Sequence, residues 1–322
     1  MEYQYLIDLN DEKNWHFPIV NREPNGNVWE EARTIHFPVG EEGLMRVTDS
    51  VFHPQPAAHC HYHREACEIF FWSMAPFDFY SDGKVAEVEP GCITLHRPYE
   101  PHGFGFHDLT RKVGFFHRMY MTLEDGTCSA LLRAKRPDAR KSPDFPKDGQ
   151  VMADIVRAPD PVGYQRVPWQ EMDCVRHISR PLAVERFDGV TMKMLIARWE
   201  TAGVKEVWAA EMEKGFAVCS NPYPLKTEML YVTQGELRFT VYDDSFIAHK
   251  DCIVKLPKYG EYRIEALSDA VVYDMNGQTD WFGLFRERGA MLAADPACLS
   301  DAEALRALKH RHGCEIRSVS RS

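Results

Sequence analysis

Three histidines alternate in the stretch His59-Cys60-His61-Tyr62-His63, and Glu68 follows just ahead of the apolar run Ile69-Phe70-Phe71-Trp72. Every second residue of a β-strand shares a face, so His59, His61 and His63 point the same way. Converging imidazoles with a carboxylate nearby form the donor set of a metal site. A single buried histidine is more often a hydrogen-bonded core residue. Several imidazoles in one place are costly to bury uncompensated, and each opposes protonation of the others. A metal ion relieves both problems by accepting neutral lone pairs. The competing readings are a polar pocket for a small anion and a surface histidine run.

Two ligand registers fit the spacing. One takes His61, His63 and Glu68; the other takes His59, His61 and Glu65. The first is preferred, because Glu68 leads directly into the apolar strand and is held rigidly there. Glu65 lies in the preceding Arg-Glu-Ala loop. His59 then lines the pocket or lies on the surface, and His53 has no role. The distal ligand is His102, at a strand end in Pro101-His102-Gly103. His96 either moves protons beside the metal or is a strand residue bonded to a backbone carbonyl. Cys60, Tyr62 and Cys67 alternate away from the ligands and pack.

Short strands must position these residues. Leu44–Thr48 alternates, Glu68–Ser73 is apolar, and Phe77–Ser81 runs into Asp82-Gly83, a hairpin signal. Val85–Val88, a Pro90-Gly91 turn, Cys92–His96 and Val113–Tyr120 follow. Many short strands with Gly and Pro turns predict a small barrel or jelly roll. Residues 1–40 read as an arm with one or two strands, one of them Arg33–Phe37. The basic, proline-bearing run 133–143 reads as a solvated linker, with a phosphate-binding patch as the sharper alternative. Strands resume at Val190. Ser300-Asp301-Ala302-Glu303 is a capping box that predicts a helix over 301–311.

A shift of 160 positions carries Glu68 onto Glu228, Ile69–Trp72 onto Met229–Val232, and Ile93 onto Ile253. The same shift carries His61, His63 and His102 onto Asn221, Tyr223 and Tyr262. A repeat at one offset with matching hydrophobic register predicts a second copy of the barrel without histidine ligands. The histidine distribution agrees: eight of the fourteen lie between 53 and 117, and only His249 lies between 200 and 280.

Composition bounds the rest. At 322 residues the chain has room for two domains, and 44% hydrophobic residues supply a core. A net charge of −10 argues against a nucleic-acid partner. No apolar run is long enough for a membrane span. The start shows no basic segment followed by an apolar one, and the nine cysteines form no CxxC pair. A cytoplasmic protein with reduced cysteines is therefore expected.

His61, His63 and Glu68, then the Gly91 turn and His102, resemble the two motifs of the cupin superfamily, and the doubled arrangement looks like a bicupin. The resemblance implies an all-β fold of two cupin (jelly-roll β-barrel) domains with a short C-terminal helix. The expected boundaries are an arm over 1–40, a metal-binding cupin over 41–125, a linker over 126–185, a second cupin over 186–280 and a C-terminal segment over 281–322. Within the superfamily, Tyr62-His63-Arg64, Ile93-Thr94-Leu95-His96 and Pro101-His102-Gly103 are similar to segments of the homogentisate 1,2-dioxygenase family. That likeness implies His63, Glu68 and His102 as iron ligands and His96 as a pocket histidine; beside such a metal, His96 or His59 would take a substrate proton. His61 stands where that family has an aromatic non-ligand, so two-His-one-Glu and three-His-one-Glu sets both remain open. The implied activity is non-haem Fe(II)-dependent cleavage of an aromatic diol with O2. Manganese or zinc in a sugar-acid isomerase or lyase, and a non-catalytic binding bicupin, are the rivals. The arm and terminal helix suggest a homodimer.

Overall fold

The computed structural model describes residues 5–22, 26, 28–38, 43–52, 60–64, 67–72, 77–105, 115–124, 155–159, 163–187, 189–201, 206–222, 228–257, 260–277, 280–312 and 314–321. His53, His59, Glu65, Tyr223 and the basic run 133–143 lie outside them. The chain divides into two compact units: Trp15–His177, and Met1–Asn14 together with Ile178–Ser322.

The first unit pairs a six-stranded sheet with a seven-stranded one. The six-stranded sheet runs Ile155–Arg157, His61–His63, His102–Gly105, Phe77–Ser81, Lys84–Val88, Gln165–Arg166. The seven-stranded sheet runs Val175–Arg176, Ile93–His96, Glu68–Trp72, Phe115–Glu124, Gly43–Phe52, Val28–Pro38, His16–Arg22. The predicted hairpin is present: Phe77–Ser81 pairs with Lys84–Val88 across Asp82 and Gly83, both at positive φ. Two left-handed central residues match the strand twist in a two-residue hairpin, which is why Asp-Gly serves there.

Each sheet takes strands from the stretch expected to be linker. Ile155–Arg157 pairs with His61–His63, and Val175–Arg176 pairs with Ile93–His96. Strands of two or three residues are too short to show alternation in sequence.

The second unit repeats this topology. Its seven-stranded sheet runs Leu6–Asp8, Cys252–Leu256, Glu228–Gln234, Ala270–Gly277, Glu206–Met212, Val190–Ile196, Ala183–Phe187. Its five-stranded sheet runs Asp244–His249, Glu236–Val241, Tyr262–Ala266, Phe216–Pro222, Cys314–Arg321. The 160-residue offset holds at the level of paired residues. Glu68 faces His96 and Glu228 faces Leu256; His102 faces Ser81 and Tyr262 faces Val241.

The C-terminal segment holds more than one helix. α1 spans Trp281–Ala294 and α2 spans Ala302–His312, and the strand Cys314–Arg321 closes the five-stranded sheet. Five consecutive residues open α1 buried, from Trp281 to Phe285. A helix that enters a core end-on has no 3.6-residue stripe to read. Trp281 stacks between Trp208 (centroids 5.4 Å apart) and Tyr262 (5.9 Å). The second unit thus fills with aromatic rings around the position that corresponds to His102. No helix among the described residues is long and apolar enough to cross a membrane. Cys60, Cys67, Cys92, Cys174, Cys219, Cys252 and Cys298 are free thiols.

Candidate metal centre

The topology brings both sheets of the first unit to one point. His61 and His102 are direct partners across neighbouring antiparallel strands, and His63 lies two residues along the first of them. Glu68 arrives from the other sheet, at the start of Glu68–Trp72. One donor atom from each of His61, His63, Glu68 and His102 lies within 4.8 Å of the others. Glu68 Oε2 is the hub: His102 Nε2 is 3.0 Å away, His63 Nε2 3.3 Å and His61 Nε2 3.8 Å. Donors at right angles on an ion with bonds of about 2.1 Å are about 3.0 Å apart, and those at a tetrahedral angle about 3.4 Å. His63, Glu68 and His102 are buried, whereas 22% of the His61 side chain meets solvent.

Local structure fixes the distal ligand. The turn Arg97–Glu100 is closed by the Glu100 carboxylate, which accepts from Arg97 N (2.9 Å) and Arg97 Nη1 (3.3 Å). Tyr99, at φ 65°, donates its backbone N–H to the His63 carbonyl at 2.6 Å. This ties the turn to the ligand strand and aims the Glu100 carbonyl at His102 Nδ1, 2.9 Å away.

That contact decides whether the residues fit a metal. A carbonyl oxygen only accepts, so Nδ1 carries the hydrogen, and neutral His102 turns the Nε2 lone pair toward Glu68 Oε2. Two acceptors 3.0 Å apart call for a cation between them. An imidazole whose second nitrogen donates to a backbone carbonyl is the usual support of a metal-bound histidine. The electrostatics agree. Burial holds His102 below its ordinary pKa, although Glu68 pulls the other way. Burial alone would raise the Glu68 carboxyl, but the imidazoles of His102, His61 and His63 gathered on it hold it well below the usual carboxylate range. An ionised carboxylate facing the bare Nε2 of His102 is what a divalent ion binds.

His96 sits beside this group without joining it. It is the cross-strand partner of Glu68, and its ring stacks on His102 at 3.8 Å. Burial, then repulsion from His102, keeps it well below the ordinary imidazole value. Its Nε2 is 3.0 Å from Thr94 Oγ1, and its buried Nδ1 has no hydrogen-bond partner among the described residues. Phe79 and Phe70 pack against its ring at 5.2 and 5.5 Å, and Phe104 packs on Phe70. Sequence reasoning passed over Thr94 and Glu100. Thr94 stands two residues before His96 in the same strand and shares its face, so the strand period also points to it, whereas Glu100 lies in the turn before His102 and acts through its backbone carbonyl, which leaves no side-chain pattern to read. His59 is outside the described residues.

No family model matches the sequence, and no curated protein matches it. Solved structures do match. A variant of Bacillus subtilis oxalate decarboxylase is 13% identical, with a TM-score of 0.51 over 86% of this chain and 78% of its own. The Lactobacillus farciminis oxalate decarboxylase–formate complex is 11% identical, with a TM-score of 0.51 over 86% and 87%. A third structure, from a study of the Mn(II) centres of the Bacillus subtilis enzyme, is 13% identical with a TM-score of 0.50 over 86% and 78%. The chain folds as a bicupin, all-β in two jelly-roll units. The finer likeness to ring-cleaving dioxygenases rests on the motifs alone.

Proposed function

We propose that the first unit holds iron(II) through His61, His63, Glu68 and His102, and that the protein cleaves an aromatic diol with O2. The observation that carries the metal reading is the convergence of three imidazoles on one carboxylate oxygen, with His102 Nε2 turned to it as an acceptor. The aromatic substrate is supported by Phe70 and Phe79, which pack against His96 beside the cluster, and by Phe104, which packs on Phe70. Four protein donors on an ion that takes six leave room for a small substrate and O2.

When bound, iron(II) supplies Lewis acidity toward a phenolic oxygen and electron density for O2. The residues do the rest. Glu68 brings one negative charge, and the three neutral histidines leave one positive charge uncompensated on a divalent ion, which favours an ionised phenolate. His96 receives the phenolic proton: with Nε2–H donating to Thr94 Oγ1, Nδ1 keeps a lone pair. The buried walls of the site exclude water from the ring. Both atoms of O2 enter the product as one ring bond breaks, so no external reductant is consumed. His59 remains the second candidate acceptor.

A redox-neutral reading has its own support. The fold likeness is to oxalate decarboxylases, one of them described by its Mn(II) centres. A manganese or zinc centre in a lyase or isomerase acting on a small carboxylate fits the same four donors. Elemental analysis of the isolated protein, with O2 uptake measured on hydroquinones, gentisate and catechols, separates the two. Iron with stoichiometric O2 consumption supports ring cleavage. Turnover of a carboxylate under nitrogen with manganese or zinc supports the second reading and overturns the first.

A further inference from the structure

A second group of unlike donors lies in the other unit, where the N-terminal strand meets the barrel. Leu6–Asp8 pairs antiparallel with Cys252–Leu256, which sets Asp8 opposite Cys252. His249 ends the preceding strand, Asp244–His249. One donor atom each from Asp8, His249 and Cys252 lies within 4.8 Å of the others. Three separate segments of chain thus deliver a carboxylate, an imidazole and a thiol to one spot.

The orientations repeat the logic of the first site. His249 Nδ1 is 2.9 Å from the Lys250 carbonyl oxygen, so it carries the hydrogen, and neutral His249 presents Nε2 as an acceptor. Asp8 Oδ1 accepts from Asn10 N at 2.8 Å, which turns Oδ2 toward that nitrogen. Nε2 and Oδ2 are 3.6 Å apart, too far for a hydrogen bond. Two donors at about 2.1 Å from a shared ion, spread between tetrahedral and trigonal angles, are about 3.4–3.6 Å apart. The third donor, Cys252 Sγ, lies 3.6 Å from Nδ1 of the same imidazole. The thiol is buried and the imidazole half exposed, so the site has a soft inner ligand and an opening to solvent.

We propose that Asp8, His249 and Cys252 form a second metal site, for zinc(II) or a similar borderline ion, completed by water. Cysteine, histidine and aspartate together suit zinc, whereas a hard ion such as calcium or magnesium would want oxygen donors alone. The ion would clip the N-terminal strand to the barrel edge, because Asp8 is the only one of the three donors outside 244–256. Its role is structural: it adds a side-chain tie to a three-residue strand already paired with Cys252–Leu256.

The thiolate makes the site separable from the first, whose donors are nitrogen and oxygen only. Metal-free full-length protein is titrated with cobalt(II) at neutral pH and followed in the near ultraviolet, where thiolate-to-cobalt charge transfer absorbs. The band is expected in the wild type and in His102→Ala. It is expected to vanish in Cys252→Ser, and the cobalt affinity to fall at least tenfold in His249→Ala and Asp8→Ala. His249 is exposed, so His249→Ala keeps the test valid if Cys252→Ser unfolds. Zinc is also expected to raise the melting temperature of His102→Ala but not of the His102→Ala/His249→Ala double variant. A wild type without the band, as a simple His249–Asp8 ion pair would give, overturns the proposal. So does a band that survives in both Cys252→Ser and His249→Ala, since another cysteine would then be the ligand.

Discussion

Glu68 Oε2 is the atom on which the first site turns, because three imidazole nitrogens approach it from three positions on two strands. Removing one of those imidazoles leaves the others able to bind an ion, but more weakly. His63→Ala and His102→Ala should each lower the bound metal at least tenfold in elemental analysis while the circular dichroism spectrum stays that of a β-protein. A full metal complement in both variants would sink the ligand assignment. His96 tests a different point. It stacks on His102 and bonds to Thr94, yet it is no part of the donor group. His96→Gln should keep the metal and lose about 10²–10⁴-fold in turnover, the range of a general acid–base residue. Equal loss of metal and turnover would make His96 a support of the ligands and nothing more.

Among the elements, α1 and α2 carry the clearest titratable contact. Asp280 caps α1 by accepting from Gly283 N, and His312, the last residue of α2, joins both helices. Its Nδ1 lies 2.8 Å from Asp280 Oδ2 and its Nε2 2.6 Å from Glu287 Oε2, beside an Arg311–Glu287 ion pair. Burial disfavours the imidazolium, but the two carboxylates outweigh it and raise the His312 pKa. A raised histidine contributes stability that is complete below its unfolded value, about 6.5, and is lost as pH climbs through the folded value. His312→Ala should therefore cost about 2 kcal/mol at pH 5.5 and much less at pH 9, read from urea unfolding by tryptophan fluorescence. An equal cost at both values would mean that the ring serves only by packing.

At the scale of the whole molecule, one architecture is built twice and furnished differently. The first unit places histidines at the meeting point of its sheets. The second keeps the glutamate as Glu228 and fills the His102 position with Tyr262 under Trp281. Glu206 is buried there too, with Oε2 3.4 Å from Arg198 Nε. Burial, stronger than the pull of Arg198, pushes its pKa up to about 8. The folded state then keeps a proton that the unfolded chain gives up near 4.5. Stability falls as pH rises between those values, at up to about 1.4 kcal/mol per pH unit. Glu206→Gln should flatten that slope in urea unfolding across pH 5–8; an unchanged slope would assign it to other groups.

The sequence alone pointed to the candidate donors, with His61 left open as a ligand, to the strand pattern around them and to the doubling of the barrel. Those features live in residue types at short spacing, or in one offset that keeps hydrophobic register, and strand alternation turns spacing into direction. His61, His63, Glu68 and His102 were all legible this way, and so was Tyr262 as the replacement for His102. Contacts between distant segments decided the rest. The His102 tautomer depends on a turn that aims the Glu100 carbonyl. The short strands at 155–157 and 175–176 exist only because a sheet edge is there to pair with. α1 hides because its first five residues are buried together, and the Asp8–His249–Cys252 group joins residues more than 240 positions apart. Local preference carries no record of such meetings; only closure of the chain brings them about.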